Sequence, residues 1–364
     1  MTADKYVIHL IKCALKNEQP DEKPANLSWN EIFRLGDKHM ISNMVWYSVN
    51  KLKDKPQADF WIKWTEIKNK SLVKDITQRS EFDKITAAFE KEQVRCMPVK
   101  GLFLKKLYPQ SDFRTMSDID ILTDIENAQK AGNIMRSLGY ACKSIGTAHH
   151  DVYFKSPVMN IEIHKQLFSD ITFKNLSEYY NDVFTNAEKI SGYEFVYKMM
   201  DEEFYIYVLA HFYKHYSRGG SGIRSVMDIY VLNHNIYEKL DKHSLDHKLD
   251  LLKLLNFRNQ ITDLSEVWFG EKEETPETAK LSGYVLNSGT YGTMSNLINS
   301  QVKARGRTGY FLYSAFLPLY LMKNNYPILN KAPFLLPLFW IWRLISALIT
   351  KRNVVMLKLR AVFK

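Results

Sequence analysis

Asp118 and Asp120, in the run Ser117-Asp118-Ile119-Asp120-Ile121-Leu122, are the residues whose type and spacing most directly suggest chemistry. Read as a strand, the run sends both carboxylates to one face and Ile119 and Ile121 to the other. Two carboxylates about 7 Å apart along a strand repel unless a cation or a proton lies between them. Their hard oxygens suit Mg2+, and two such ions about 4 Å apart can clamp the attacking and leaving oxygens of a phosphoryl transfer. Metal-dependent phosphoryl or nucleotidyl transfer is therefore the chemistry this pair would serve. An isolated Asp-x-Asp is more often a solvated edge strand, so its neighbours decide its weight.

Upstream, Lys100-Gly101 stands where a strand ending at Val99 hands over to a short helix, Leu102 to Tyr108. Glycine lets backbone approach a ligand, a helix start offers free N–H groups, and the lysine adds charge, an arrangement that receives phosphates. Downstream, Asn160-Ile161-Glu162-Ile163-His164 alternates in the same way, so Glu162 and His164 share a face. If the two strands are neighbours, Glu162 supplies a third carboxylate. His164 then reads as a hydrogen-bond partner of a carboxylate or of substrate. Lys155, His149 and His150 fall in or beside this sheet and could face the site. The histidine spacing matches no zinc motif, and surface or turn positions are expected for them.

The segments PVKGLFLKKLYP, RTMSDIDIL and NIEIH resemble the uncharacterised nucleotidyltransferase family related to DNA polymerase beta, and the likeness continues through HFYKH and GIRSVMD to the Tyr-Pro and Leu-Leu-Pro segments near the C-terminus. Where the wider superfamily has Gly-Ser or Gly-Gly, this chain has Lys100-Gly101. The resemblance implies an α+β fold, a mixed sheet covered by helices and flanked by N- and C-terminal helical regions. It implies transfer of a nucleoside monophosphate from an NTP, ATP being the expected one, to an unidentified acceptor, with release of pyrophosphate. Asp118, Asp120 and Glu162 would hold two Mg2+ ions, Mn2+ also being compatible. Lys100, Gly101, Arg114, Ser117, Lys214, Arg224 and Asp228 would bind the nucleotide, and His164, His211 and His215 would support these groups through hydrogen bonds. A tRNA- or protein-modifying enzyme and a non-catalytic nucleotide-binding scaffold are the alternatives on the same fold. From spacing alone, Arg224 and Asp228 form an intrahelical ion pair.

Three elements must position these groups. Residues 1–94 read as an N-terminal helical region: Tyr6, Leu10, Ile11 and Ala14 form one stripe, Ser28 caps a second helix, and Trp61 to Phe89 place apolar residues at mostly helical spacing. Residues 95–172 read as the catalytic core, with Asp124 capping a helix from Glu126 to Leu138 and three short strands after it. Residues 173–364 read as a C-terminal helical region completing the site. Within it, Ser217 to Gly222 suggests a flexible lid, and Lys303, Arg305 and Arg307 suggest a solvated basic loop.

With 364 residues, 46% of them apolar and 13% aromatic, the chain can bury a large core, which excludes a disordered protein. A net charge of +10 is compatible with nucleotide, RNA or anionic lipid partners. Lysines and arginines recur along the whole chain, and the plain reading is a solvated basic surface. Cys13, Cys96 and Cys142 have no metal-like spacing, and the first residues lack a cleavable signal, so a reducing cytoplasm is expected. The apolar stretch from Phe334 to Thr350 contains Pro337 and Arg343, and a packed or interfacial helix is expected over a transmembrane one. The basic, amphipathic residues after it leave peripheral membrane contact as the lesser reading.

Overall fold

The computed structural model describes residues 1–145, 150–168 and 173–363, so His149 lies outside the described residues. Four helices come first: α1 (Ala3–Lys16), α2 (Trp29–Lys38), α3 (Ser42–Val49) and α4 (Ala58–Lys91). Local chemistry sets their starts. The Thr2 side chain accepts from Lys5 N, and Ser28 and Glu31 form a reciprocal capping box. Tyr6, Leu10, Ile11 and Ala14 are buried, as their spacing requires.

The core follows as β1 (Cys96–Pro98), α5 (Gly101–Lys105), β2 (Ile119–Thr123), α6 (Ala128–Ser137), β3 (Ala141–Ser144), β4 (His150–Lys155) and β5 (Met159–His164). The five strands form one mixed sheet in the order β1-β2-β5-β4-β3, in which β2 and β5 run parallel and the other pairs antiparallel. Ile119, Ile121, Ile161, Ile163 and Tyr153 join Ile85 and Phe89 of α4 and Ala131, Ile134 and Met135 of α6 in one buried cluster. The α+β architecture is thus a sheet with helices on its oily face.

Several expectations shift in detail. Helix α6 starts later than expected, with Asn127 at its N-cap position, because the Asp124 carboxylate is held by Arg95 at 2.7 and 2.9 Å. Helix α4 buries Asp75, Gln78 and Glu81 in mid-helix while Ile76 is exposed. Those polar residues face inward because each has a partner: Asp75 receives Lys105, Arg79 and Ser111, and Gln78 donates to Met116 O. Lys155, which could have faced the site, bonds Glu81 at 2.8 Å instead, on the sheet's other face.

Helix α7 (Lys174–Tyr179) and a two-stranded ribbon, β6 (Glu188–Lys189) with β7 (Tyr197–Lys198), lead to α8 (Asp201–Arg218). After it come α9 (Ile223–Asn235), α10 (Lys242–Leu251), α11 (Leu255–Phe269), α12 (Pro276–Ser288), α13 (Met294–Ala315), α14 (Leu319–Asn325), α15 (Leu336–Thr350) and α16 (Arg352–Phe363). By internal contacts the chain divides into one unit of Met1–Lys214 with Gly222–Leu286 and a second of His215–Ser221 with Asn287–Lys364. In the second unit, Ser217 and Arg218 are helical. Thr293 N donates to Gly219 O at 2.9 Å, so this part of the expected lid is packed. Lys303, Arg305 and Arg307 lie in α13, not in a loop, although Gly306 breaks its dihedrals at φ 70°.

Candidate functional site

Parallel pairing of β2 with β5 places Asp120 opposite Glu162 and Leu122 opposite His164. Asp118 stands one residue before β2 begins. Each of Asp118, Asp120 and Glu162 offers an oxygen within 4.8 Å of the others, and all three are half-buried. Alternation explains the clustering: what sends the isoleucines into the core sends the acids to the opposite face.

The cluster carries its own internal cation. His164 Nε2 lies 3.1 Å from Asp120 Oδ1 and 3.5 Å from Glu162 Oε2. Burial alone would push the imidazole down, but these two carboxylates raise it to about 9. Burial and the charges of Asp120 and Glu162 push the Asp118 carboxyl up to about 6. Burial would raise Asp120 too, yet the hydrogen bond and charge of His164, with Lys100 and Arg114, hold it below the usual range.

The Lys100-Gly101 turn is tied to the same strand, since Val99 N donates to Asp120 O at 3.0 Å. Lys100 has φ 52°, a backbone region that favours glycine, and Gly101 begins α5. A Cβ on Gly101 would run into Met116 Sδ, so a larger residue there would have to displace the Met116 side chain. Lys100 Nζ lies 2.6 Å from His211 Nδ1 of α8. Burial, together with the nearby Arg114 charge, drops the Lys100 amine to about 7.

The uncharacterised nucleotidyltransferase family matches residues 25–270, so the match stops short of the Tyr-Pro and Leu-Leu-Pro segments to which the likeness was expected to extend. The chain belongs to that family. No curated protein matches the sequence. Among solved structures, the solution structure of the antibiotic-resistance factor ANT(2'')-Ia is similar at 13% identity and a TM-score of 0.35, covering 53% of this chain and 97% of that one.

The nucleotidyltransferase acts on a nucleotide and an acceptor, and the residues expected to serve that reaction fall into three groups. Asp118, Asp120, Glu162 and His164 meet directly. Lys100, His211 and Lys214 adjoin them: Asp120 and Glu162 raise the Lys214 amine, while burial outweighs them and lowers it. Arg114, Arg224 and Asp228 form a brace beside the turn. Both oxygens of Asp228 go to Arg114, at 2.7 and 3.0 Å, and Tyr108 OH donates to the same carboxylate at 2.7 Å. The pairing of Asp228 with Arg224 expected from spacing is therefore replaced as the dominant contact, and Arg224 donates to Thr115 O at 3.0 Å. Ser117 precedes Asp118 in the connecting loop, and His215 belongs to the second unit rather than to this cluster.

Two residues gain importance only in three dimensions. His150 pairs with His164 across β4 and β5, and its Nε2 lies 3.7 Å from Glu162 Oε2. His150, Glu162 and His164 form a second donor group that shares Glu162 with the acidic trio. Recognising the 150–164 stretch as one hairpin would have placed both histidines on the same face. Tyr108, the other, sits in the Tyr-Pro that ends the helical segment, a signal that marks the family without revealing its bond to Asp228.

Proposed function

We propose that the protein transfers a nucleoside monophosphate from an NTP, ATP being the expected donor, to an acceptor hydroxyl, with divalent cations held by Asp118, Asp120 and Glu162. The observation that carries this reading is the convergence of the three carboxylates within 4.8 Å on one face of the β2–β5 pair. The donor set fits the ions: burial, with the crowding of three hard anionic oxygens, drives one carboxyl up to about 6, and a divalent charge would relieve the repulsion. Bound there, Mg2+ or Mn2+ would neutralise the phosphates and steady the in-line geometry.

The chain's own groups do the rest. The acceptor oxygen bonds to the α-phosphorus as the bond to pyrophosphate breaks, and in this reading Glu162 assists removal of the acceptor proton. Lys100, on its strained turn, faces the triphosphate in this reading, and the phosphate charge would favour the protonated form that burial and Arg114 disfavour. Lys214 adds a second positive group beside Asp120 and Glu162. His164 fixes Asp120 through its hydrogen bond. The three free thiols suit a reducing cytoplasm.

The test incubates purified protein with labelled NTPs, Mg2+ or Mn2+, and separate pools of small metabolites, tRNA and protein. A nucleotide-sized mass gain in one pool, with pyrophosphate released in equal amount, is the expected result and names the acceptor class. Tight, metal-dependent ATP binding with no product in any pool would turn the assignment toward a nucleotide-binding scaffold.

A further inference from the structure

The excess positive charge is not distributed as the whole-chain composition suggests. Eleven of the 50 lysines and arginines follow residue 286, and none of the 40 acidic residues does, the last being Glu277. The net charge of +10 thus resides entirely in this C-terminal segment. No carboxylate side chain within the segment can pair with its cations.

The same segment exposes its largest apolar surface. On α15, Leu338, Ile341, Trp342, Ile345, Leu348 and Ile349 recur at spacings of three and four and are each between 49% and 76% exposed. The opposite face is the packed one. Trp340 Nε1 donates to Leu317 O at 2.8 Å and its ring meets Phe316 edge-on, while Phe339 packs on Tyr326. Arg343, the charge that interrupts the sequence stretch, turns to this packed side and donates to Ser314 O and Ala315 O, the latter at 2.8 Å. The outward stripe is therefore uninterrupted. Helix α16 adds exposed Met356 and Phe363 beside exposed Arg352 and Arg360, with Lys351 exposed at the junction.

We propose that the α15–α16 face docks flat on an anionic lipid bilayer, with the apolar stripe in the acyl boundary and the basic residues at the headgroups. A stripe of large aliphatic side chains flanked by cations matches a surface that is oily below and negative above. A second copy of this chain would bring like charges together, and a nucleic acid would leave the aliphatic stripe unmatched. Burial and the like charges of Arg343 and Lys351 already hold the Lys358 amine below its usual range, which a negative surface would reverse. The stretch Pro333–Thr350 is long and apolar enough by composition to cross a membrane. Helix α15 itself has 15 residues. That is roughly 22 Å against a hydrocarbon core of about 30 Å, which favours lying in the interface.

The inference is independent of nucleotidyl transfer, and flotation tests it. Full-length protein is floated with vesicles of phosphatidylcholine alone or with about a third phosphatidylglycerol, at about 0.1 and 0.5 M salt. Binding to the anionic vesicles should exceed that to neutral ones at least about tenfold and weaken at high salt. The double change Ile341→Asp with Ile345→Asp should abolish it, and Lys351→Glu with Arg352→Glu should cut it about tenfold or more, both with unchanged circular dichroism. Absent binding, equal binding to neutral vesicles, or full binding by either variant overturns the proposal. So does a dimer that Ile341→Asp dissociates without vesicle binding by the parent, RNA binding in place of vesicle binding, or retention on cell membranes through an alkaline carbonate wash.

Discussion

Arg114 grips both carboxylate oxygens of Asp228 from 114 residues away, with Tyr108 on the same acid and all three side chains buried. The contact joins the loop that presents Asp118 to helix α9. Because the ions are out of water, removing one leaves the other uncompensated. Asp228→Ala should cost about 3–5 kcal/mol in urea unfolding. An Arg114→Met, Asp228→Leu pair should recover most of it. A loss under about 1 kcal/mol for the single change would mean that the brace is not structural.

Asp118 is expected to oppose folding in the absence of metal and to be needed for turnover. At pH 8 in chelator, Asp118→Asn should melt higher than the parent, since it removes one of three crowded charges. Labelled-NTP transfer should fall at least about a hundredfold. Full activity in this variant would refute the proposed metal site.

The pH dependence of the chelated protein combines His164 and Asp118 with Lys100. The Lys100 amine, lowered from 10.5 to about 7, acts in the opposite sense and adds stability as pH rises between those values. For His164 and Asp118 the folded values lie above the unfolded ones, about 9 against 6.5 and about 6 against 3.8. Each of these two groups therefore stabilises fully below its unfolded value and loses that contribution as pH rises through the folded one. Between pH 6.5 and 9 the His164 share, roughly 3 kcal/mol at most, should disappear from the unfolding free energy. Asp120, held low, acts oppositely and only in acid. Saturating Mg2+ should shrink the His164 share, and the difference between the parent and His164→Asn should isolate it above pH 6.5. A slope unchanged by His164→Asn would sink this account.

Lys100 combines backbone strain with a cation. Lys100→Gly should relieve the positive φ, gaining about 1 kcal/mol of stability, while raising the KM for NTP about tenfold or more as the charge is lost. Steady-state kinetics and thermal melts separate the two effects. An unaltered KM would show that the triphosphate is held by other groups.

How much of this could be read from the chain depends on the range of the interactions. Strand alternation around Asp118, Asp120 and Glu162 is a local property, and so is the oily stripe that buries Ile119 and Ile161; these made the α+β core and the acidic trio legible. The sequence also carried the helical N-terminal arm, because Thr2 and Ser28 cap within their own first turns. Polar partnerships across long separations were not legible. Nothing near Asp75 announces Lys105, Asp228 looked closer to Arg224 than to Arg114, and Lys155 chose Glu81 over the site. Arg343 likewise read as a break in an apolar run until packing turned it inward. A hydrophobic pattern is fixed by periodicity along one element, whereas a buried charge takes whichever counter-charge the fold brings within reach, and only tertiary structure decides that.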